Sequence, residues 1–394
     1  MGRVGCTLSL VGLALCLCAA AAPADLQPRL RFAAAAPLAL PVGDDAGGQA
    51  IALAHVNEDG VPDLVAIDRF DDALNVQLGR GDGSFAAATL IELDGTPAAV
   101  VVVADVASPF GSDFFGDIDG HVDLVVAHDD GDGEIVLGRG DGTFDPPEQD
   151  LSDVLYGLEL NAVAVRDLDG NGRLDLIFFD AFDAVFFLCN EVGTFAPCAT
   201  ETVETQGAGA AGFTIGDWSG DGIDDVAVVN RDSADVTIIR GLGGGRFSDV
   251  PSINLRLIQD PSIDITSVAV GRLNGDDIDD LLIGTAALSP PPSRGDALIA
   301  VTPTGPSASA LFYYPGPTEI DALSLGDFDA DGSVDALLSG PAGLELRRGA
   351  EGLVQASQPQ GSEAVLPART IAVADLNGDA RPDFVALEAE DGNS

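Results

Sequence analysis

One acidic phrase recurs along the chain, and it constrains the fold more than any other feature. It is clearest at Asp327-Phe-Asp-Ala-Asp-Gly-Ser-Val-Asp335, between the alternating run Ala322-Leu-Ser-Leu-Gly326 and the apolar Ala336-Leu-Leu338. Carboxylates at phrase positions one, three, five and nine can converge on one hard cation, since Ca²⁺ takes about six to eight oxygens in flexible geometry. Glycine at position six permits the tight turn that gathers them. Aligned on position nine, the phrase ends at Asp63, Asp123, Asp175, Asp225, Asp280, Asp335 and Asp383, at intervals of 48 to 60 residues. A period of that length marks a repeat architecture of seven units.

Short apolar runs enter each phrase, at residues 50–54, 100–104, 162–165, 212–215, 267–270, 322–325 and 370–373. A second run leaves it, as in Asp175-Leu-Ile-Phe-Phe179 or Asp225-Val-Ala-Val-Val229. These runs are short, rich in β-branched residues and bounded by turns, so they read as strands. A third run follows, such as Leu74-Asn-Val-Gln-Leu78. Then comes a glycine hairpin ending in an aromatic: Gly79-Arg-Gly-Asp-Gly-Ser-Phe85, Gly138-Arg-Gly-Asp-Gly-Thr-Phe144 and Gly241-Leu-Gly-Gly-Gly-Arg-Phe247. Four strands in each of seven units predict an all-β chain, a seven-bladed β-propeller of four-stranded blades, which manages exposed strand edges by radial repetition. Residues 30–40 resemble the fourth-strand segment 85–93, so an N-terminal strand is expected to close the last blade. That blade shows no third strand after Asp383.

Residues 1–24 read as a secretory signal peptide: Arg3, an apolar run over 4–22, then Ala22-Pro-Ala24 as a cleavage site. The propeller then occupies 25–394, and the mature protein is expected outside the cytoplasm, secreted or at the cell surface. No second apolar run is long enough to span a bilayer, so no membrane insertion is expected after cleavage. The mature chain keeps Cys189 and Cys198, on neighbouring strands, which predicts a disulfide in an oxidising compartment. The formal charge of −46, with every basic side chain an Arg, repels phosphate backbones and argues against nucleic acid.

With these phrases in place the chain resembles the FG-GAP/VCBS repeat family, over residues 28–394. The resemblance implies Ca²⁺ held between the first two strands of a blade. An EF-hand is excluded, since position twelve is Phe178, Leu338 or Ala386 where that loop wants Glu. Unit six offers Asp327, Asp329, Asp331 and Asp335; unit three Asp167, Asp169, Asn171 and Asp175; unit seven Asp375, Asn377, Asp379 and Asp383. Unit four has Asp217, Ser219, Asp221 and Asp225, weakened by the hydroxyl. Position-seven carbonyls at Arg173, Ile223, Ser333 and Arg381 are expected to complete these shells. In unit two an insertion separates Asp105 from Asp117, Asp119 and Asp123. In unit one His55 replaces the first ligand beside Asn57, Asp59 and Asp63. In unit five Arg272 stands at position one, beside Asn274, Asp276 and Asp280; either its guanidinium replaces the ion internally or it points to solvent.

Such loops stiffen blades, and they offer no open coordination position of the kind a catalytic metal uses. Function then falls to the opposite face, at residues 68–72, 128–132, 230–235 and 289–296, where a protein or a surface glycan is the expected partner. Arg-Gly-Asp occurs at 80–82, 139–141 and 294–296, the first two as hairpin tips. The mature chain has only His55, His121 and His128, no G-x-S-x-G elbow and no reactive cysteine, so no enzyme is expected. A carbohydrate-active enzyme or lectin is the alternative, because paired carboxylates are abundant. Trp218, the sole Trp, lies inside a loop.

Overall fold

The computed structural model describes residues 13–19, 32–34, 38–39, 51–68, 73–93, 98–106, 119–128, 133–145, 149–151, 160–180, 184–190, 195–205, 209–248, 253–256, 263–274, 276, 278–287, 296–305, 308–315, 319–341, 343–350, 353–354 and 368–388. Among them there is no helix, and hence none long and apolar enough to cross a membrane.

Strands come in antiparallel groups that follow chain order. β1 (Leu13–Ala19), β2 (Phe32–Ala34) and β3 (Leu38–Ala39) precede the first phrase. Sheet one is β4 (Ile51–Ala54), β5 (Asp63–Asp68), β6 (Ala73–Gln77) and β7 (Thr89–Glu92). Sheet two is β8 (Ala98–Ala104), β9 (Asp123–His128), β10 (Gly133–Val136) and β11 (Gln149–Asp150). Sheet three is β12 (Leu160–Arg166), β13 (Asp175–Asp180), β14 (Ala184–Asn190) and β15 (Phe195–Glu204). Sheet four is β16 (Ala210–Gly216), β17 (Asp225–Asn230), β18 (Asp235–Ile239) and β19 (Ile253–Arg256). Sheet five is β20 (Ile263–Gly271), β21 (Asp280–Ala287), β22 (Asp296–Gly305) and β23 (Ala308–Pro315). Sheet six is β24 (Ala322–Gly326), β25 (Asp335–Gly340) and β26 (Gly343–Arg347), followed by the separate hairpin β27 (Gly349–Ala350) and β28 (Leu353–Val354). Sheet seven pairs β29 (Ala368–Ala374) with β30 (Asp383–Glu388).

The apolar runs after each phrase are buried on both faces, because every second strand serves two neighbours. Val125 and Ala127 pack with Val163, Leu176 and Phe178 of sheet three. Leu124 and Val126 turn the other way, onto Val65, Ile67 and Val76 of sheet one. Sheets three and four, four and five, five and six, and six and seven share clusters in the same manner. Successive side chains on a strand point to opposite faces, so a strand between two layers must be apolar throughout. The first strands of consecutive sheets lie side by side from β4 to β29, and β29 also lies against β4.

Two expectations are modified here. Sheet six has three described strands where four are expected. The missing third strand of sheet seven is supplied from the other end of the chain: β1 pairs antiparallel with β30, and both β2 and β3 pair with β1. Leu13–Ala19 belongs to the apolar run of the expected leader. A run of that length suits a leader core and a buried strand equally, so periodicity alone does not separate them. Cys189 and Cys198 form the expected disulfide, across β14 and β15.

Candidate metal centres

Each acidic phrase links the first strand of a sheet to the second. In loops one, three, four, six and seven its tight path places left-handed residues at positions four and six. Gly170 and Gly172 have φ of +79° and +85°, Gly220 and Gly222 +71° and +81°. Ala330 (+58°), Glu58 (+57°) and Ala380 (+63°) adopt the same conformation without being glycine. That conformation costs an ordinary residue about 1–2 kcal/mol, which the loop's internal hydrogen bonds offset. Position four is a requirement that the sequence pattern does not display, since its residue varies.

The ninth Asp is first of all a backbone clasp. Asp335, fully buried, accepts the Phe328 N–H at 3.0 Å and the Asp329 N–H at 3.3 Å on one oxygen. Its other oxygen accepts the Gly349 N–H at 2.8 Å, beyond the third strand. Asp63 does the same with Val56, Asn57 and Gly79; Asp123 with Val106 and Gly138; Asp175 with Leu168 and Asn190. Asp225 holds Ser219 and Gly241, Asp280 holds Leu273 and Asn274, and Asp383 holds Leu376. Burial pushes Asp175, Asp225, Asp280 and Asp335 up to about 6, against the opposing pull of these N–H donors. The Asp335 oxygen that accepts only Gly349 keeps a second lone pair, so the clasp leaves room for a cation.

Position one closes the turn. Asp167 accepts N–H donors from Gly170, Asn171 and Gly172, and Asp217 from Gly220, Asp221 and Gly222. Asp327 takes Asp331 and Gly332, and Asp375 takes Gly378, Asp379 and Ala380. Asp105 plays this part across the insertion, accepting the Gly120 N–H at 3.1 Å, while Asp117 lies outside the described residues. Loops one and five lack the first carboxylate and rest on shorter turns: Asn57 accepts from Asp59 and Asp59 from Val61, as Asn274 does from Asp276 and Asp276 from Ile278. Arg272 stands at position one of loop five. Its Nε lies 3.6 Å from Asp279, at position eight, and more than half of the side chain is exposed.

Among the described residues, two groups of side chains have the spacing of a metal site. Asp327, Asp329 and Asp335 each place an oxygen within 4.8 Å of the others, with Asp329 nearly buried. Burial and the neighbouring Asp331 push the Asp329 carboxyl up. Asp169 and Asp175 are similarly close, beside the Cys189 sulfur, which the disulfide removes as a ligand. An all-oxygen set fits a hard cation. The position-seven residues Arg173, Ile223, Ser333 and Arg381 donate their own N–H to position five, at 2.7 to 3.0 Å. In loop four Asp221 is already matched: Arg240 Nη2 donates to its Oδ2 at 2.7 Å, which holds the Asp221 carboxyl below its usual range. Arg348 stands at the same place in sheet six, 3.3 Å from Asp329. Both arginines immediately precede the glycine that the clasp holds, a sequence signal available at Arg240-Gly241 and Arg348-Gly349.

Hairpin tips reach back to the preceding loop. The Gly142 N–H donates to Val56 O, Gly245 to Leu168 O, and Gly83 to Leu376 O, joining sheet one to loop seven. The Arg-Gly-Asp tips are part of these hairpins. Asp82 accepts the Ser84 N–H, Asp141 accepts the Thr143 N–H, and Arg139 pairs with Asp145. Trp218 is buried between sheets four and five and offers no stacking platform. At the far ends of the sheets, buried polar pairs tie second strands to third strands. His128 Nε2 lies 3.0 Å from Glu134 Oε1, and Asn230 donates to Asp235 and Thr237. Residues 69–72, 129–132 and 289–295 of the candidate partner face lie outside the described residues.

The profile of the FG-GAP-like repeat matches residues 117–178, 167–228, 217–283 and 312–386, together more than half of the chain. No curated protein matches. Among solved structures, BBS1N in its complex with ARL6DN superposes with a TM-score of 0.55 at 14% identity, over 88% of this chain and 97% of that one. A protein from Lactobacillus plantarum gives 0.57 at 13% identity, over 91% and 98%. An Agrocybe aegerita lectin specific for non-reducing terminal N-acetylglucosamine gives 0.55 at 16% identity, over 79% and 80%. At these identities the likeness is one of fold.

Proposed function

Because the chain belongs to the FG-GAP-like repeat family, we propose that it is an exported seven-bladed β-propeller whose acidic loops take calcium as a structural ion and whose opposite face binds a partner. The observation that carries the calcium reading is the gathering of Asp327, Asp329 and Asp335 within reach of one ion. Loops three and seven present the same position-one and position-nine carboxylates, with loop two following through Asp105. A bound divalent ion would supply the positive charge that these buried carboxylates lack, and binding to the folded state alone raises its stability by mass action. The contact of β29 with β4, and the Gly83–Leu376 hydrogen bond, support a closed ring. Export is supported by the disulfide and by the leader-like residues 1–24.

The acids of the loops are committed to turns and clasps, which favours binding over catalysis. A protein or a glycan suits the partner face, and relatives in fold include a propeller complexed with a protein and a sugar-specific lectin. The test is thermal unfolding and calcium titration of the purified chain, followed by a glycan array with and without chelator. Calcium is expected to raise the melting temperature. An identical melt in calcium and in EDTA, with no bound ion by titration, overturns the calcium reading. Sequencing the mature N-terminus is expected to give Asp25, and a secreted chain that keeps β1 overturns the leader.

A further inference from the structure

The register of the third strand places one side chain beside each acidic loop. Ile239 pairs with Val226, Arg347 with Ala336 and Leu188 with Leu176, and each of these partners directly follows a clasping Asp. The next residue along the third strand is therefore Arg240 in sheet four, Arg348 in sheet six and Cys189 in sheet three. Sheets one, two and five carry Leu78, Leu137 and Thr302 at the same place, from the pairs Gln77–Leu64, Val136–Leu124 and Val301–Leu281.

We infer that this one position decides which cation neutralises a loop, and that in sheet four Arg240 takes the place of the metal. Three observations converge. Arg240 Nη2 is hydrogen-bonded to Asp221 Oδ2 at 2.7 Å, so a ligand oxygen is already spent on a positive charge. Position three of this loop is the neutral Ser219, where the loops of sheets three and six have Asp169 and Asp329. Among the described residues, three carboxylates gather at metal-ligand spacing in loop six, two lie beside the Cys189 sulfur in loop three, and no such group forms in loop four. A guanidinium is permanently charged and presents several donors in a fixed fork, so it satisfies carboxylates without an ion. A divalent ion entering loop four would meet that charge at close range and would have to displace it. In sheet six Arg348 stands farther off, 3.3 Å from Asp329, and competes with the metal without replacing it. In sheet three the corresponding Cys189 is uncharged and held in the disulfide, so loop three binds unopposed. Loops three and six remain open to the metal, with loop four closed.

This inference rests on the calcium reading for its metal arm, and a second arm is independent of metal. Calcium stoichiometry is measured on the full chain by isothermal titration. Arg240→Ala is expected to bind one ion more than the unmodified protein. Arg348→Ala is expected to bind the same number, with one site at least tenfold tighter, and Asp221→Asn the same number unchanged. A count that falls in Asp221→Asn, or fails to rise in Arg240→Ala, overturns the assignment. If neither the unmodified chain nor Arg240→Ala binds calcium, the calcium reading fails, and melting in EDTA decides the role of Arg240. There Arg240→Ala, Asp221→Asn and the double variant are compared. Losses that do not add are expected, and additive losses overturn the pairing.

Discussion

The loop of sheet six and the loop of sheet one follow the same path but differ in chemistry. Both are clasped by a buried ninth Asp, Asp335 or Asp63, which accepts N–H groups from positions two and three and from a glycine beyond the third strand. Both pass through left-handed residues at positions four and six, Ala330 and Gly332 or Glu58 and Gly60. Only loop six has a carboxylate at position one, and only there, of the two, do three acids gather at ligand spacing. In loop one His55 leaves the turn to Asn57 and Asp59. The difference separates two roles that one acidic phrase contains. The clasp serves the fold in both loops, and positions one and three join it to make an ion site in loop six alone of the two.

Removing a clasp should break both loops alike. Asp335→Ala and Asp63→Ala each strand three N–H groups, and an unsatisfied buried donor costs about 1–3 kcal/mol. In chelator a loss of roughly 3–5 kcal/mol is expected for either variant by denaturant unfolding, and in calcium Asp335→Ala should lose the ion's contribution as well. A loss at Asp335 that disappears in EDTA would mean that this side chain acts through metal alone.

Removing position one should separate the loops. Asp327→Ala leaves the clasp in place, and the N–H groups it frees are exposed to water. In EDTA its stability should stay within about 1 kcal/mol of the unmodified chain. In saturating calcium it should forfeit the ion's contribution, about 2.7 kcal/mol at a hundredfold excess over Kd. Equal losses under both conditions would place Asp327 in the fold, with the clasp.

The smallest effect is one of pH. Asp335, with Asp175, Asp225 and Asp280, has a folded pKa raised from 3.8 to about 6. A raised acid holds its proton more tightly when folded, so its contribution is complete below pH 3.8 and is lost as pH rises to about 6. In EDTA, the melting temperature of Asp335→Asn should therefore depend less steeply on pH across this window than that of the unmodified chain. Calcium protection should run the other way and fade as pH falls through 6, because protonated carboxyls do not ligate. An unchanged slope in Asp335→Asn would remove Asp335 from the titration.

Much of this is legible in the chain because its cause is local and repeated. The turn at positions one to nine, the strands on either side and the glycine hairpins each depend on a few adjacent residues. Two cysteines on adjacent strands gave the disulfide for the same reason. What the pattern left ambiguous was set by partners distant in sequence. The ninth Asp reads only as a ligand until the third strand brings Gly349 or Gly79 against it, 14 or 16 residues away, and adds the clasp. Arg240 reads as a strand end until register places it on Asp221, 19 residues back.

By itself the sequence determined a repeating all-β chain, the places where acids gather and the turns that gather them, since backbone preference and alternation act over neighbouring residues. Tertiary structure alone decided which of those acids clasp backbone and which face an arginine. Hydrogen-bond partners across strands are chosen by register, and register is a property of the packed sheets.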